Sequence, residues 1–157
     1  MEFDKDFLGK LFEQAVTNPR LRQNFDLRTS PADTSQRMLN ALLPGTKVPI
    51  HRHEDTTETV ICLVGKLEEI IYEEVNEYIY EATSCCGDVT RQRKIKEISR
   101  QILSPAEGKF GIQIPAGAWH TINVIEPSVI FEAKDGAYNE SGNTTDKERL
   151  RFNKDRI

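Results

Sequence analysis

Histidine and cysteine are scarce in this chain of 157 residues, which contains three of each. Three cysteines is an odd number, and Cys85 and Cys86 are neighbours that could pair only through a strained ring. A disulfide-stabilised scaffold is therefore not expected. No stretch approaches the roughly 18 apolar residues of a membrane span, and the N-terminus lacks the features of a signal peptide. We expect a cytoplasmic protein with three free thiols.

The chain also lacks an excess of basic residues. Lys and Arg number 21 against 25 Asp and Glu, which gives a net charge of -4. Without a basic face, nucleic acid is not expected as a partner. The composition, 38% hydrophobic and 29% charged, is typical of a globular protein. The length suits one domain with its own core.

Only one segment has the periodicity of a helix. Apolar side chains recur at helical spacing over residues 4–17, where Asp4 can cap the start and Asn18-Pro19 can end the helix. Residues 20–35 are polar and irregular. They carry three arginines: Arg20, Arg22 and Arg28. A solvated loop is predicted here, and the alternative is a lid or an anion contact over a site.

From residue 36 onward, short apolar segments alternate with Gly and Pro turns, which is typical of an all-β sandwich or barrel. Strands are predicted over residues 37–43, 59–64, 67–72, 77–82, 98–103, 108–114, 120–124 and 129–133. The helix-length runs of a βαβ protein are absent. Residues 83–96 interrupt the pattern and are predicted to form an exposed hairpin loop, and the polar tail is predicted to be mobile.

Two of the three histidines stand one residue apart in the motif G-x5-H-x-H-x4-E-x6-G of residues 45–65. Residues two apart in a strand point to the same face, so His51 and His53 project together. Glu58 follows a short turn at the start of the next predicted strand. A hairpin would return its carboxylate to the histidine pair.

The third histidine, His120, ends the motif P-x-G-x2-H of residues 115–120, where a Pro-Gly turn leads into a strand. Three imidazoles and one carboxylate suit a divalent transition metal such as Zn, Fe, Mn, Ni or Cu. The predicted ligands are His51, His53, Glu58 and His120. A six-coordinate ion would keep two positions open, whereas a tetrahedral zinc would be closed and structural. The ordinary alternative is a set of strand and core histidines.

Three further residues are candidates for a pocket beside this site. Cys62 shares a strand face with Glu58, so it would either line the barrel behind the metal or fill apolar space. Arg37 and Glu132 lie on predicted strands, where they could contact substrate, act as acid or base, or face outward. No histidine is left over for proton transfer.

The segments around these residues resemble the cupin superfamily. Residues 45–65 match its first motif position for position, and residues 114–120 are similar to its second. Four segments resemble the WbuC family of cupin-fold metalloproteins: NPRLR at 18–22, QRMLNALLPG at 36–45, IPAGAWH at 114–120 and FEAKDGAY at 131–138. The resemblance implies metal ligation by the four residues named above. It also implies a homodimer and a link to surface-polysaccharide gene clusters.

The resemblance further implies an all-β fold, a jelly-roll barrel (double-stranded β-helix) with an N-terminal α-helix. The expected regions are a helical extension at 1–35, the barrel at 36–138 with an inserted loop at 83–96, and a polar tail at 139–157.

Two functions are considered. The first is a metal-dependent enzyme, such as an isomerase, lyase or dioxygenase, that acts on a small polar molecule. A sugar, a sugar nucleotide or a keto acid would suit a Lewis-acid metal. The second is a metallated barrel that binds a carbohydrate or other small ligand without turnover. A structural zinc site without a pocket is a third possibility.

Overall fold

The fold consists of one short helix and a large antiparallel sheet. The computed structural model describes residues 1–30, 32–81, 88–136 and 143–145. Its elements are α1 (Lys5–Thr17), β1 (Arg22–Asp26), β2 (Ser35–Leu42), β3 (His51–His53), β4 (Glu58–Glu81), β5 (Asp88–Leu103), a 3-10 turn (Pro105–Glu107), β6 (Gly111–Ile114), β7 (Trp119–Asp135) and β8 (Asn143–Thr145). The predicted all-β fold with an N-terminal helix is confirmed. No described helix is long and apolar enough to cross a membrane.

Helix α1 begins and ends where the sequence predicts. The Asp4 carboxylate accepts a hydrogen bond from the backbone N–H of Phe7 at 2.8 Å, which caps the first turn. Leu11 and Ala15 are buried against the barrel, in an apolar cluster with strand β2 and Val129 of β7. The helix therefore packs on the barrel of its own chain.

Strand β7 organises the sheet, because it pairs antiparallel with β2, β3 and β4. Its C-terminal half lies between β2 and the start of β4. Its N-terminal half lies between β3 and the middle of β4. Strand β4 in turn pairs with β6 near its start and with β5 further along. The two long strands thus connect the rest of the sheet.

The predicted strand boundaries need correction. Residues 59–64, 67–72 and most of 77–82 belong to the single strand β4, and residues 120–124 and 129–133 both belong to β7. Register shifts between Cys62 and Leu67 bend β4 without ending it. Gly65 permits this bend because its φ is +93° and a Cβ would lie 2.2 Å from the carbonyl oxygen of Pro127. Gly and Pro in this sequence therefore mark bends within strands as well as the ends of strands.

Three predicted loops are also partly wrong. Within residues 20–35, β1 forms an edge strand paired with β2. Within 83–96, residues 88–96 belong to β5 and pair with β4, while 82–87, including Cys85 and Cys86, lie outside the described residues. In the tail, residues 143–145 form β8 and pair with β3. The rest of the tail after residue 136 lies outside the described residues.

Candidate metal centre

Four side chains from three strands meet at one place in the sheet. His51 and His53 lie on β3, Glu58 begins β4, and His120 lies near the start of β7. The nitrogen or oxygen atoms that they offer lie within 4.8 Å of one another. His51 pairs directly with His120 across β3 and β7. The N–H of Gly117 donates to the carbonyl of His53 at 2.7 Å, which fixes the Pro-Gly turn against β3.

Backbone carbonyls orient two of the imidazole rings. His51 Nδ1 lies 3.0 Å from the carbonyl oxygen of Pro49, and His120 Nδ1 lies 3.0 Å from that of Ala118. A carbonyl oxygen can only accept, so each Nδ1 donates its proton to the carbonyl, and Nε2 is the ring nitrogen left to bind a metal. This arrangement is typical of histidines that bind a metal through Nε2.

Glu58 supplies a buried negative charge at the centre of the group. Its Oε2 lies 2.9 Å from His53 Nε2 and 3.3 Å from His120 Nε2. Burial opposes ionisation, but the contacts with His120 and His53 outweigh it and hold the pKa of Glu58 below its usual value. Burial, with the neighbouring His120, lowers the pKa of His51 to about 4. An ionised carboxylate and a neutral imidazole are the forms that metal binding requires.

The group fits a divalent transition metal. Ligands about 2.1 Å from an ion lie at most about 4.2 Å apart, so no pair here needs to close by more than about 0.6 Å. Glu58 Oε2 is buried and lacks a well-aligned hydrogen-bond partner among the described residues. A cation between the four residues would be held by this oxygen and by the Nε2 atoms of His51 and His120.

The group lies in the wall of an open cavity of about 480 Å³. This volume is within the range of small-molecule sites. Val60 and Ile122 supply apolar wall, while Gln36 and Asn40 of β2 supply amide groups. Because all four residues line this cavity, a small molecule that enters it could reach a metal held between them.

Glu132 is the one member of the three predicted pocket residues that lines the cavity. Protein surrounds its carboxyl group, although the cavity leaves part of the residue accessible to water. Asn40 Nδ2 donates to Glu132 Oε2 at 2.9 Å. Burial, followed by the charge of Glu58, raises the pKa of Glu132 to about 8. Its carboxyl group is therefore largely protonated at neutral pH.

Arg37 and Cys62, the other two, do not line the cavity. Gln36 and Met38 both face it, so Arg37 between them points to the opposite face of β2, where it binds Asp33 at 2.5 Å. Cys62 is buried in the apolar core, and burial raises the pKa of its thiol to about 11. Neither residue is placed to contact a ligand at the metal centre.

Sequence reasoning missed Glu69, which lines the cavity and is fully buried. Neither carboxylate oxygen has a hydrogen-bond partner among the described residues. Burial, followed by the charges of Glu58 and Glu132, raises the pKa of Glu69 well above its usual value. The available signal was a glutamate between Leu67 and Ile71 on an apolar strand face.

Lys134 was missed as well. Its Nζ lies 3.1 Å from His53 Nδ1, on the side of the ring that faces away from Glu58. Burial lowers the pKa of Lys134, and the charges of Glu58 and Glu132 partly oppose this. An ammonium group donates, so His53 Nδ1 accepts here, in contrast to Nδ1 of the other two histidines. Nε2 of His53 then carries the proton toward Glu58 Oε2, and a bound metal would displace that proton.

The arginines of the predicted loop lie at the same cavity. Arg20, Arg22 and Arg28 all contribute to its wall, together with Asn24 and Asp26 of β1. Alternate residues of a strand share a face, which explains why Arg22, Asn24 and Asp26 point inward together. The sequence allows two predictions for residues 20–35, a solvated loop or a contact with the site. The structure therefore favours the contact, because these arginines line the cavity beside the candidate metal centre.

Comparison with solved structures gives the fold. The capsular polysaccharide assembling protein CapF from Staphylococcus aureus is similar with a TM-score of 0.51 and 17% identity, over 88% of this chain and 35% of CapF. Oxalate decarboxylase from Bacillus subtilis is similar with a TM-score of 0.50 and 17% identity, over 82% of this chain and 28% of that enzyme. The chain thus spans about a third of each. At these identities the likeness shows the cupin fold alone.

Sequence comparison gives the family. No curated protein matches the chain at a significant level. The family model described as a domain of unknown function, DUF6016, matches residues 3–83, just over half of the chain, and the matched part includes His51, His53 and Glu58. The chain therefore belongs to the DUF6016 family and has the cupin fold that its two histidine motifs predict.

Proposed function

We propose that the protein is a metal-dependent cupin enzyme that acts on a small polar molecule such as a sugar, a sugar nucleotide or a keto acid. One observation carries the proposal: the candidate metal centre and two further carboxyl groups, those of Glu69 and Glu132, line the same open cavity. The sequence left no histidine for proton transfer, and these carboxyl groups supply candidates for that role.

The proposed ligands are His51, His53, Glu58 and His120. A divalent transition metal held there would supply a Lewis acid for a carbonyl or a pair of vicinal oxygens. Glu132 has a pKa of about 8, near the pH at which a general acid or base works best. It could therefore give a proton to a bound substrate or take one from it. Asn40 orients this carboxyl group through its hydrogen bond.

We also propose membership of the WbuC family and a role in surface-polysaccharide metabolism. Support comes from the four segments that resemble that family. The name of CapF, a capsular polysaccharide assembling protein of the same fold, is consistent with this role. A homodimer and a cytoplasmic location stay predictions.

Binding without turnover is the second candidate. The amide side chains of Asn18, Asn24, Gln36 and Asn40 all line the cavity. Such groups donate and accept hydrogen bonds in the way that carbohydrate hydroxyls require. A barrel of this kind could hold a sugar at the metal without changing it.

Turnover assays separate the two candidates. Protein loaded with Mn, Fe(II), Ni or Zn is incubated with sugars, sugar nucleotides and keto acids, and products are identified by mass spectrometry. We expect conversion that depends on metal, is lost in Glu58→Gln, and falls by about 100-fold or more in Glu132→Gln. Glu126→Gln changes an exposed glutamate of β7, the strand that carries Glu132, and this variant should keep full activity. Tight binding with no product for any metal would favour the binding module.

A further inference from the structure

The chain turns sharply just before β1, between two arginines of the cavity wall. Leu21 has a φ of +54°, and it is the one residue other than glycine with a positive φ among the described residues. This left-handed conformation is strained for a residue with a side chain. The turn places both Arg20 and Arg22, the residues on either side of Leu21, in the wall of the cavity.

Hydrogen bonds hold this turn rigidly. The N–H of Leu21 donates to the carbonyl of Asn18 at 2.8 Å, and the N–H of Arg20 donates to Asn18 Oδ1 at 2.9 Å. Thr46 Oγ1 donates to the carbonyl of Arg20 at 2.8 Å, and the N–H of Leu43 donates to that of Leu21 at 3.0 Å. The strained residue is thus fixed from both sides, which is common where strain positions functional groups.

The three arginines of this wall differ in their ionic contacts. Arg28 forms a bidentate pair with Asp26, in which Nη2 donates to Oδ2 at 2.7 Å and Nε donates to Oδ1 at 3.1 Å. The guanidinium of Arg20 has no ion pair among the described residues, and it is exposed to solvent. Arg22 interacts electrostatically with Glu132 deeper in the cavity. Beside the Arg28–Asp26 pair, Arg20 and Arg22 therefore bring two guanidinium groups to the cavity wall.

We propose that Arg20 and Arg22 form an anion subsite that binds a phosphate or carboxylate group of the ligand while its hydroxyl or carbonyl oxygens face the four-residue group. Guanidinium groups bind both kinds of anion through paired hydrogen bonds. The subsite selects sugar phosphates, sugar nucleotides or acidic sugars over neutral sugars. The position of the ligand oxygens rests on the proposed function, whereas anion binding itself does not.

Three probes of similar size test the subsite: glucose 1-phosphate, glucuronate and glucose. Their affinities are measured by calorimetry for the metal-loaded protein and after chelation. We expect at least one charged probe to bind about 10-fold or more tightly than glucose, because hydrogen bonds between charged groups are stronger than those to a neutral hydroxyl. The two charged probes show whether phosphate or carboxylate is preferred.

The preference should disappear in Arg20→Gln/Arg22→Gln and weaken in Arg20→Gln, an exposed change that is expected to leave the fold intact. Arg100→Gln removes the same charge on β5, outside the cavity wall, and should bind as the wild type does. Equal affinity for charged and neutral probes, binding of none of the charged probes, or an unchanged preference in the double variant would overturn the subsite. A charged-probe preference without any turnover would leave the subsite standing and count against the enzyme.

Discussion

His51 and His120 lie opposite each other on the neighbouring strands β3 and β7, with their ring centroids 4.3 Å apart. This one pair joins two motifs that are far apart in the chain. The candidate metal centre therefore depends on the pairing of β3 with β7, and on the bends that let the long strands β4 and β7 follow each other around the barrel.

Replacing Gly65 should destabilise the fold more than replacing Gly108, although both glycines have a positive φ. Gly65→Ala places a Cβ 2.2 Å from the carbonyl oxygen of Pro127, whereas Gly108→Ala has the same kind of backbone strain but no atom within 4 Å. We expect Gly108→Ala to lose about 1–2 kcal/mol of unfolding free energy and Gly65→Ala clearly more. Urea unfolding of both variants measures the difference. Equal losses would show that the close approach of β4 to Pro127 is not needed.

Helix α1 should contribute to stability through one face only. Leu11 is 3% exposed and packs on the barrel, while Val16 of the same helix is 64% exposed. We expect Leu11→Ala to lower the unfolding free energy by about 2–4 kcal/mol and Val16→Ala by less than about 0.5 kcal/mol. Denaturant titration of the two variants provides the comparison. A small effect of Leu11→Ala would mean that the helix is not docked on its own barrel in solution.

Glu132 should make stability fall as the pH rises. Its folded pKa, about 8, lies above the unfolded value of about 4.5. Its contribution is therefore complete below pH 4.5 and is lost progressively as the pH rises toward 8. In metal-free protein, Glu132→Gln should become more stable relative to wild type between pH 5 and pH 8, with a slope of up to about 1.4 kcal/mol per pH unit. Urea unfolding at several pH values measures this, and parallel pH profiles would contradict the raised pKa.

The four candidate metal ligands could be predicted from the sequence, but most of the residues around them could not. His51, His53, Glu58 and His120 could be found because strand alternation and two turn motifs constrain them locally. Glu69 was missed because a glutamate in a strand is usually exposed, whereas this one is buried in the cavity wall. Arg37 was a candidate for the pocket because its strand was predicted correctly. Whether it faced the pocket or outward stayed open, since the local pattern did not fix which face of β2 points inward.

The fold class was predictable, whereas the strand lengths were not. Turn residues such as Gly65 and Pro127 look like strand ends, but in the barrel they form bends within longer strands. Strand β1 lacks apolar alternation because one of its faces lines a polar cavity. The rule that predicts strands from alternating apolar residues therefore fails at the wall that carries the proposed anion subsite.

The most direct test of the account is the metal content of protein purified without added metal or a metal-binding tag. Elemental analysis is applied to the wild type, to His51→Ala and to Ile122→Ala, which alters the same cavity without removing a ligand. We expect about one transition-metal ion per chain in the wild type and in Ile122→Ala. His51→Ala should lose affinity by at least about 100-fold, since loss of groups that only orient ligands already costs about 10- to 100-fold. A full metal complement in folded His51→Ala would contradict the ligand assignment.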